Sequence, residues 1–377
     1  MEQVHLSHTR RGERDSRIDF WRGLCLIDMI LVHLGYNKVQ FGSVLEPFIC
    51  DYLRFAAGGF VFMAGMAVGF IYLPKARAPE RRMQTYCRLW LRSIQLAAWQ
   101  FFLCLGWIVM QTWEGNRNPE PGLWRLFLDV LSMRDGGDLL PFYMMLIAVA
   151  PLLLEMCRRK WGVWLLPVMS IGVFALGRIH PYWLAMDPQG TFPPLLWQLV
   201  FVAGLLAGIN LTRYDALKAR VKVLVLAAAL LMFGLLFWCE FWSAVGLPPC
   251  PVSLVFSKTP LTTGEMLRYL SLVTVVLVGT DLIWRRISRS GFAAFSGTLG
   301  KCTLQVYVAQ VFLMELAGIA ATQWWWRMGA WQILFAPVCL GMLWVLAAAL
   351  QWRRQREKAG VDWSILFGSP VRSQIGE

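Results

Sequence analysis

Apolar runs long enough to cross a bilayer recur along most of this chain, and that repetition narrows its possible folds more than any other feature. Inside hydrocarbon every backbone N–H and C=O must be satisfied within the protein, so such runs fold as helices. The runs predict ten spans, at 18–36, 52–73, 93–111, 139–157, 161–178, 194–211, 222–241, 265–284, 303–322 and 331–351. The expected fold is therefore all-α, a polytopic transmembrane bundle. Composition excludes the soluble alternative: of 377 residues, 57% are hydrophobic and 16% charged, too little charge to clothe a water-soluble surface of this size.

A net charge of +13 in a soluble chain would suggest nucleic acid. Here the cations gather at Arg10–Arg17, Lys75–Arg92, Arg158–Lys160, Arg213–Lys222, Arg285–Arg289 and Arg353–Lys358, after every second span. That is the positive-inside pattern, and it accounts for the basicity without a nucleic-acid partner. It predicts both termini in the cytoplasm, with a basic tail at 1–17, one transmembrane domain at 18–351 and a second tail at 352–377. The charged start followed by a full-length span reads as a signal anchor rather than a cleaved leader. The nine cysteines lack metal-ligand spacing, and no metal site is expected. Cys50 and Cys250 fall in predicted outer loops, as two unrelated thiols or as a pair.

Two small-residue repeats, Gly65-Met-Ala-Val-Gly69 and Gly204-Leu-Leu-Ala-Gly208, fit close helix packing. Trp113, Trp124, Trp183, Trp242 and Trp324-Trp325-Trp326 stand near predicted outer boundaries, where tryptophan anchors at the interface. The outer stretches 37–50, 112–138, 179–193 and 243–264, rich in turn-formers, hold enough chain to shape an outward-facing cavity.

Ionisable residues within a span are costly and point to function. Arg22 and His33 lie in the first span, eleven steps apart, which returns their side chains to within about 20° of one face and about 16 Å apart along the axis. A neutral imidazole inside the membrane can take a proton from a hydroxyl and return it to a leaving group, as acyl transfer requires; the alternative is a histidine hydrogen-bonded between helices. Arg22, with Asp19 one turn before it, either orients an anionic donor from the cytoplasm or forms a local ion pair. Arg81, Arg82, Arg88 and Arg92, in the predicted loop between the second and third spans, suit coenzyme A phosphates, although an ordinary inside loop looks the same. Asp28 lies about 140° around the first helix from His33 and must face another helix or a cavity. Glu315 in the ninth span poses the same question. Protease, hydrolase, P-loop and dinucleotide fingerprints are lacking.

Several short pieces follow in order: Asp19-Phe-Trp-Arg-Gly23 with His33, Gly59-Phe-Val-Phe-Met-Ala-Gly65, Leu140-Pro-Phe-Tyr143, Phe192-Pro-Pro-Leu-Leu-Trp-Gln198, Lys258-Thr-Pro, and Leu299-Gly-Lys-Cys-Thr-Leu-Gln-Val-Tyr307. Together they resemble the OpgC family, membrane proteins that succinylate osmoregulated periplasmic glucans, related to the acyltransferase-3 enzymes. The arginine–ten residues–histidine spacing is also that wider group's signature. The resemblance implies an inner-membrane O-acyltransferase with His33 catalytic and Arg22 on the donor path. Asp19, Asp28, Arg81, Arg82, Arg88, Trp197, Gln198 and Lys258 are its expected substrate-binding positions. It implies succinyl-CoA as donor substrate, periplasmic glucan as acceptor, the bilayer as partner, and no permanently bound cofactor. Ala64 stands where a serine is expected and Cys302 where relatives often carry histidine, which leaves room for another acyl group or acceptor. The competing readings are an acetyl-CoA-dependent enzyme acting on another surface polysaccharide, and a transporter using Asp28, His33 and Glu315.

Overall fold

The computed structural model describes residues 15–38, 52–113, 139–184, 192–242, 246–252, 254–324 and 335–358. The rest of both tails, Cys50, Trp124, Trp325 and Trp326 lie outside the described residues. Apart from short helical turns at Leu211–Asp215 and Trp284–Ile287, the helices are α1 (Ser16–Lys38), α2 (Ala56–Arg77), α3 (Pro79–Trp113), α4 (Leu139–Arg158), α5 (Gly162–Ile179), α6 (Pro194–Ile209), α7 (Ala219–Phe241), α8 (Thr263–Leu282), α9 (Gly291–Lys301), α10 (Thr303–Trp324) and α11 (Phe335–Lys358). Among the described residues there is no strand beyond an isolated bridge between Lys258 and Leu261. Each of the ten predicted apolar segments overlaps a helix. Six helices, α2, α3, α4, α5, α7 and α11, are long and apolar enough to cross a membrane. The chain is a multi-pass, all-helical membrane protein.

Two differences from the sequence reading have local causes. The stretch 79–92, expected as a basic loop, is the first part of α3. Pro79 opens that helix and Glu80 suits its positive N-terminus. Its buried residues Thr85, Leu89, Ser93 and Leu96 recur at helical spacing. They form the stripe that meets α4, to which Ser93 donates a hydrogen bond at the Met144 carbonyl, 2.8 Å. The second difference is α9, eleven residues long and too short to announce itself as a span. It is capped by Ser290, whose hydroxyl accepts from the Ala293 N–H at 3.2 Å.

Glycines set the two closest helix crossings. A Cβ on Gly65 would lie 2.0 Å from the Phe201 carbonyl oxygen, and one on Gly204 2.0 Å from that of Phe62. Gly69 and Gly208 repeat the arrangement one turn along, so α2 and α6 cross backbone to backbone, the close packing that each repeat permits. The second crossing joins α1 to α9. A Cβ on Gly300 would lie 1.7 Å from the Asp19 carbonyl oxygen, and one on Gly23 1.9 Å from that of Ser296. The Ser296 hydroxyl donates to the Phe20 carbonyl at 2.8 Å. Within α2, a π turn at Val68–Tyr72 precedes Pro74, which has no N–H to give and whose ring would press on the Phe70 carbonyl of a regular helix.

At one end of the bundle Arg17 bonds Asp15, Asp215 and Asp281, and Lys222 bonds Asp281 at 2.9 Å. Burial disfavours the charge on Arg17, but the hydrogen bonds it donates to Asp215 and Asp15 outweigh it and raise its pKa. The network draws together two of the basic clusters expected on one side of the membrane. Near the end expected to lie opposite, Cys239 at the close of α7 forms a disulfide with Cys250. Cys250 thus has a partner other than the Cys50 considered from sequence.

Candidate functional site

α1 is one unbroken helix, so Arg22 and His33 keep the common stripe that their spacing predicts. His33 is exposed, while Arg22 is half-buried. Beside His33 stands Gln310 of α10, only 1% exposed, with Nε2 3.5 Å from His33 Nδ1. Nearer Arg22, the guanidinium lies within electrostatic reach of Cys25 and of the Tyr143 hydroxyl, which in turn senses Tyr307. Tyr307 and Gln310 are three residues apart, and so share a face of α10. Polar groups of α4 and α10 therefore accompany the stripe from Arg22 to His33.

An aromatic wall lies next to it. Phe142 of α4 stacks on Phe192 with centroids 5.8 Å apart, Phe192 meets Trp197 at 4.9 Å, and Trp197 meets Tyr269 of α8 at 5.5 Å. Lys258 lies over the Phe192 ring at 4.8 Å, and its charge reaches His33. The turn carrying Lys258 is fastened by Thr262, whose hydroxyl accepts from the Ser257 N–H at 2.9 Å and donates to the Val255 carbonyl at 2.6 Å. Trp197 is wholly buried, and its indole N–H has no hydrogen-bond partner among the described residues. Phe142 and Tyr269 are buried too, so Phe192, half-buried beneath the Lys258 cation, is the ring of this wall placed to meet a sugar ring or an acyl chain bearing a negative group.

The remaining expected residues divide clearly. Asp19 is 2% exposed, at the crossing where its carbonyl meets Gly300. Asp28 turns to α2: its Oδ2 accepts the N–H groups of Phe55 at 2.8 Å and Ala56 at 2.7 Å, capping a helix whose own N-cap residue has no side-chain acceptor. Gln198 directs its amide to α5, accepting from the Ser170 hydroxyl at 2.7 Å and donating to the Ser170 carbonyl at 2.8 Å. Arg81, Arg88 and Arg92 are exposed and fall within about 40° of one face of α3, whereas Arg82 lies near Glu155 of α4. The side chain of Glu315 lies outside the described residues.

Sequence reasoning passed over Gln310 and gave Tyr143 and Tyr307 no role of their own. An amide within an apolar span is the signal that marks Gln310. It also passed over a buried cluster on α8, where Glu265 and Arg268, each 1% exposed, form an ion pair that Arg54 joins at 3.6 Å. Among the described residues no group of acidic, histidine or cysteine side chains could hold a metal ion.

The dispersed motif pieces thus meet in space. Asp19–Gly23 locks against Leu299–Lys301, and Phe142, Phe192, Trp197 and Lys258 line one wall. No curated protein matches the chain. A family model described as OpgC protein matches residues 14–124 and 117–355, which takes in every one of these pieces. The chain belongs to the OpgC protein family.

Proposed function

We propose that this protein is an inner-membrane O-acyltransferase that moves a succinyl group from cytoplasmic succinyl-CoA to a hydroxyl of a periplasmic glucan. One observation carries the reading: in a chain of this family, an exposed imidazole on α1 shares a helix face with Arg22 and lies within reach of the charge of Lys258, which sits over the Phe192 ring of the aromatic wall. Ten spans with both termini in the cytoplasm complete the picture. The expected inside cations Arg17 and Lys222 share one network, and the Cys239–Cys250 disulfide suits an oxidising outer compartment.

In this mechanism the exposed arginines Arg81, Arg88 and Arg92 hold the donor's phosphates. The thioester reaches along α1 past Arg22. The glucan enters from the other side and packs a sugar face against Phe192, the half-buried ring of the aromatic wall. His33 takes the proton of the attacking hydroxyl through a ring nitrogen, and the sugar oxygen adds to the thioester carbonyl. The carbon–sulfur bond breaks, the sulfur leaves as the coenzyme A thiolate, and the imidazolium returns the proton to it. The charge of Lys258, whose field reaches His33, suits the free carboxylate of a succinyl group.

The test supplies labelled succinyl-CoA and purified periplasmic glucan to membranes holding either the wild-type chain or His33→Ala. Transfer by the wild type and its near-complete loss in a normally inserted variant is the expected result. Equal transfer by both removes His33 from the chemistry. Absence of transfer by the wild type, with acetyl-CoA used instead, replaces the succinyl donor.

A further inference from the structure

His33 can act as a base through one ring nitrogen only if the other nitrogen carries the proton, and something must hold it in that tautomer. Gln310 places its amide Nε2 3.5 Å from Nδ1 of that ring, at the limit of hydrogen-bond range. It is 1% exposed and comes from a different helix, so its position is set by packing rather than by solvent. Its Oε1 is buried and has no hydrogen-bond partner among the described residues. A half-turn about the last bond of the amide, which exchanges nitrogen and oxygen at nearly fixed positions, therefore breaks no hydrogen bond of Oε1 among the described residues.

We propose that Gln310 is the positioning residue of His33, its amide oxygen accepting the Nδ1–H and leaving Nε2 as the nitrogen that takes the acceptor's proton. The proposal rests on the acyl-transfer reading for its purpose, but not for its geometry. Direct attack by the sugar and a relay through an acyl-histidine need the same tautomer, because each uses the Nε2 lone pair. The proton balance is closed: Nδ1–H stays in place throughout, Nε2 gains the hydroxyl proton, and the departing thiolate receives it. When the ring is doubly protonated, Nδ1–H and the amide oxygen form a charge-assisted hydrogen bond, which steadies the imidazolium.

The test combines ring tautomer with rate. The protein is labelled with nitrogen-15 histidine in lipid nanodiscs, and the His33 signals are assigned by their loss in His33→Ala. The wild type is expected as the Nδ1–H tautomer at neutral pH. Gln310→Leu is expected to mix the two tautomers and to lower succinyl transfer about 10- to 100-fold, the size of effect seen when the partner of a working histidine is removed from a metal site. Gln310→Glu sets a carboxylate against Nδ1–H, restores the tautomer, and moves the acidic limb of the transfer profile to higher pH. Lys258 is the charged group among the described residues whose field reaches His33, so it is kept in every variant. A wild-type Nε2–H tautomer, unchanged tautomer populations in Gln310→Leu, or an unmoved limb in Gln310→Glu overturns the proposal. A wild type with the Nδ1–H tautomer that transfers no acyl group overturns the acyltransferase reading and leaves the positioning role standing.

Discussion

Asp28 offers a direct contest between a substrate contact and a structural bond. Its Oδ2 accepts two backbone N–H groups, from Phe55 at 2.8 Å and Ala56 at 2.7 Å, at the start of α2. Replacing a helix-capping acceptor by alanine costs about 0.5–2 kcal/mol, and hydrogen bonds to charged groups contribute about 1.5–3 kcal/mol each. Two such bonds to one carboxylate oxygen share their geometry, so Asp28→Ala should destabilise the fold by about 2–3 kcal/mol. Asp28→Asn keeps a carbonyl oxygen in place and loses only the charge-assisted part, about 1 kcal/mol. The assay is reversible unfolding in mixed micelles, followed by tryptophan fluorescence, with acyl transfer measured per folded molecule. The asparagine variant should keep most of its stability and its transfer rate. An alanine variant within about 0.5 kcal/mol of the wild type would refute the capping role, being smaller than the least capping effect. A well-folded asparagine variant without transfer would return Asp28 to the substrate.

The α1–α9 crossing is expected to tolerate no side chain. Gly300→Ala sets a Cβ on the Asp19 backbone and should cost about 3 kcal/mol or abolish folding. Gly291→Ala, with nothing within 4 Å, should be neutral. Fluorescence-detected gel filtration after graded heating distinguishes the two, and equal behaviour would refute the close approach. In intact spheroplasts a membrane-impermeant maleimide should label Cys239 and Cys250 only after reduction. Labelling without reduction would remove the disulfide, and labelling only after the cells are opened would reverse the assigned orientation.

Much of the architecture is legible in the chain. The apolar runs fall on helices because hydrocarbon leaves the backbone no other partner over such lengths. The glycine repeats mark α2 and α6 as helices fit for close packing because a four-residue spacing puts both small positions on one helix face. Arg22 and His33 share a face because helical periodicity is local, so counting suffices.

What surrounds that stripe was decided elsewhere. α9 is too short to register as a span, yet its Gly300 fixes where α1 sits. Asp28 meets its backbone partners only where α2 starts beside it, and the Gln310 that α10 brings to 3.5 Å from His33 is 277 residues away in sequence. Periodicity says which way a side chain points from its own helix axis. It carries no information on which other helix is placed there, because that choice depends on the packing of the whole bundle at once.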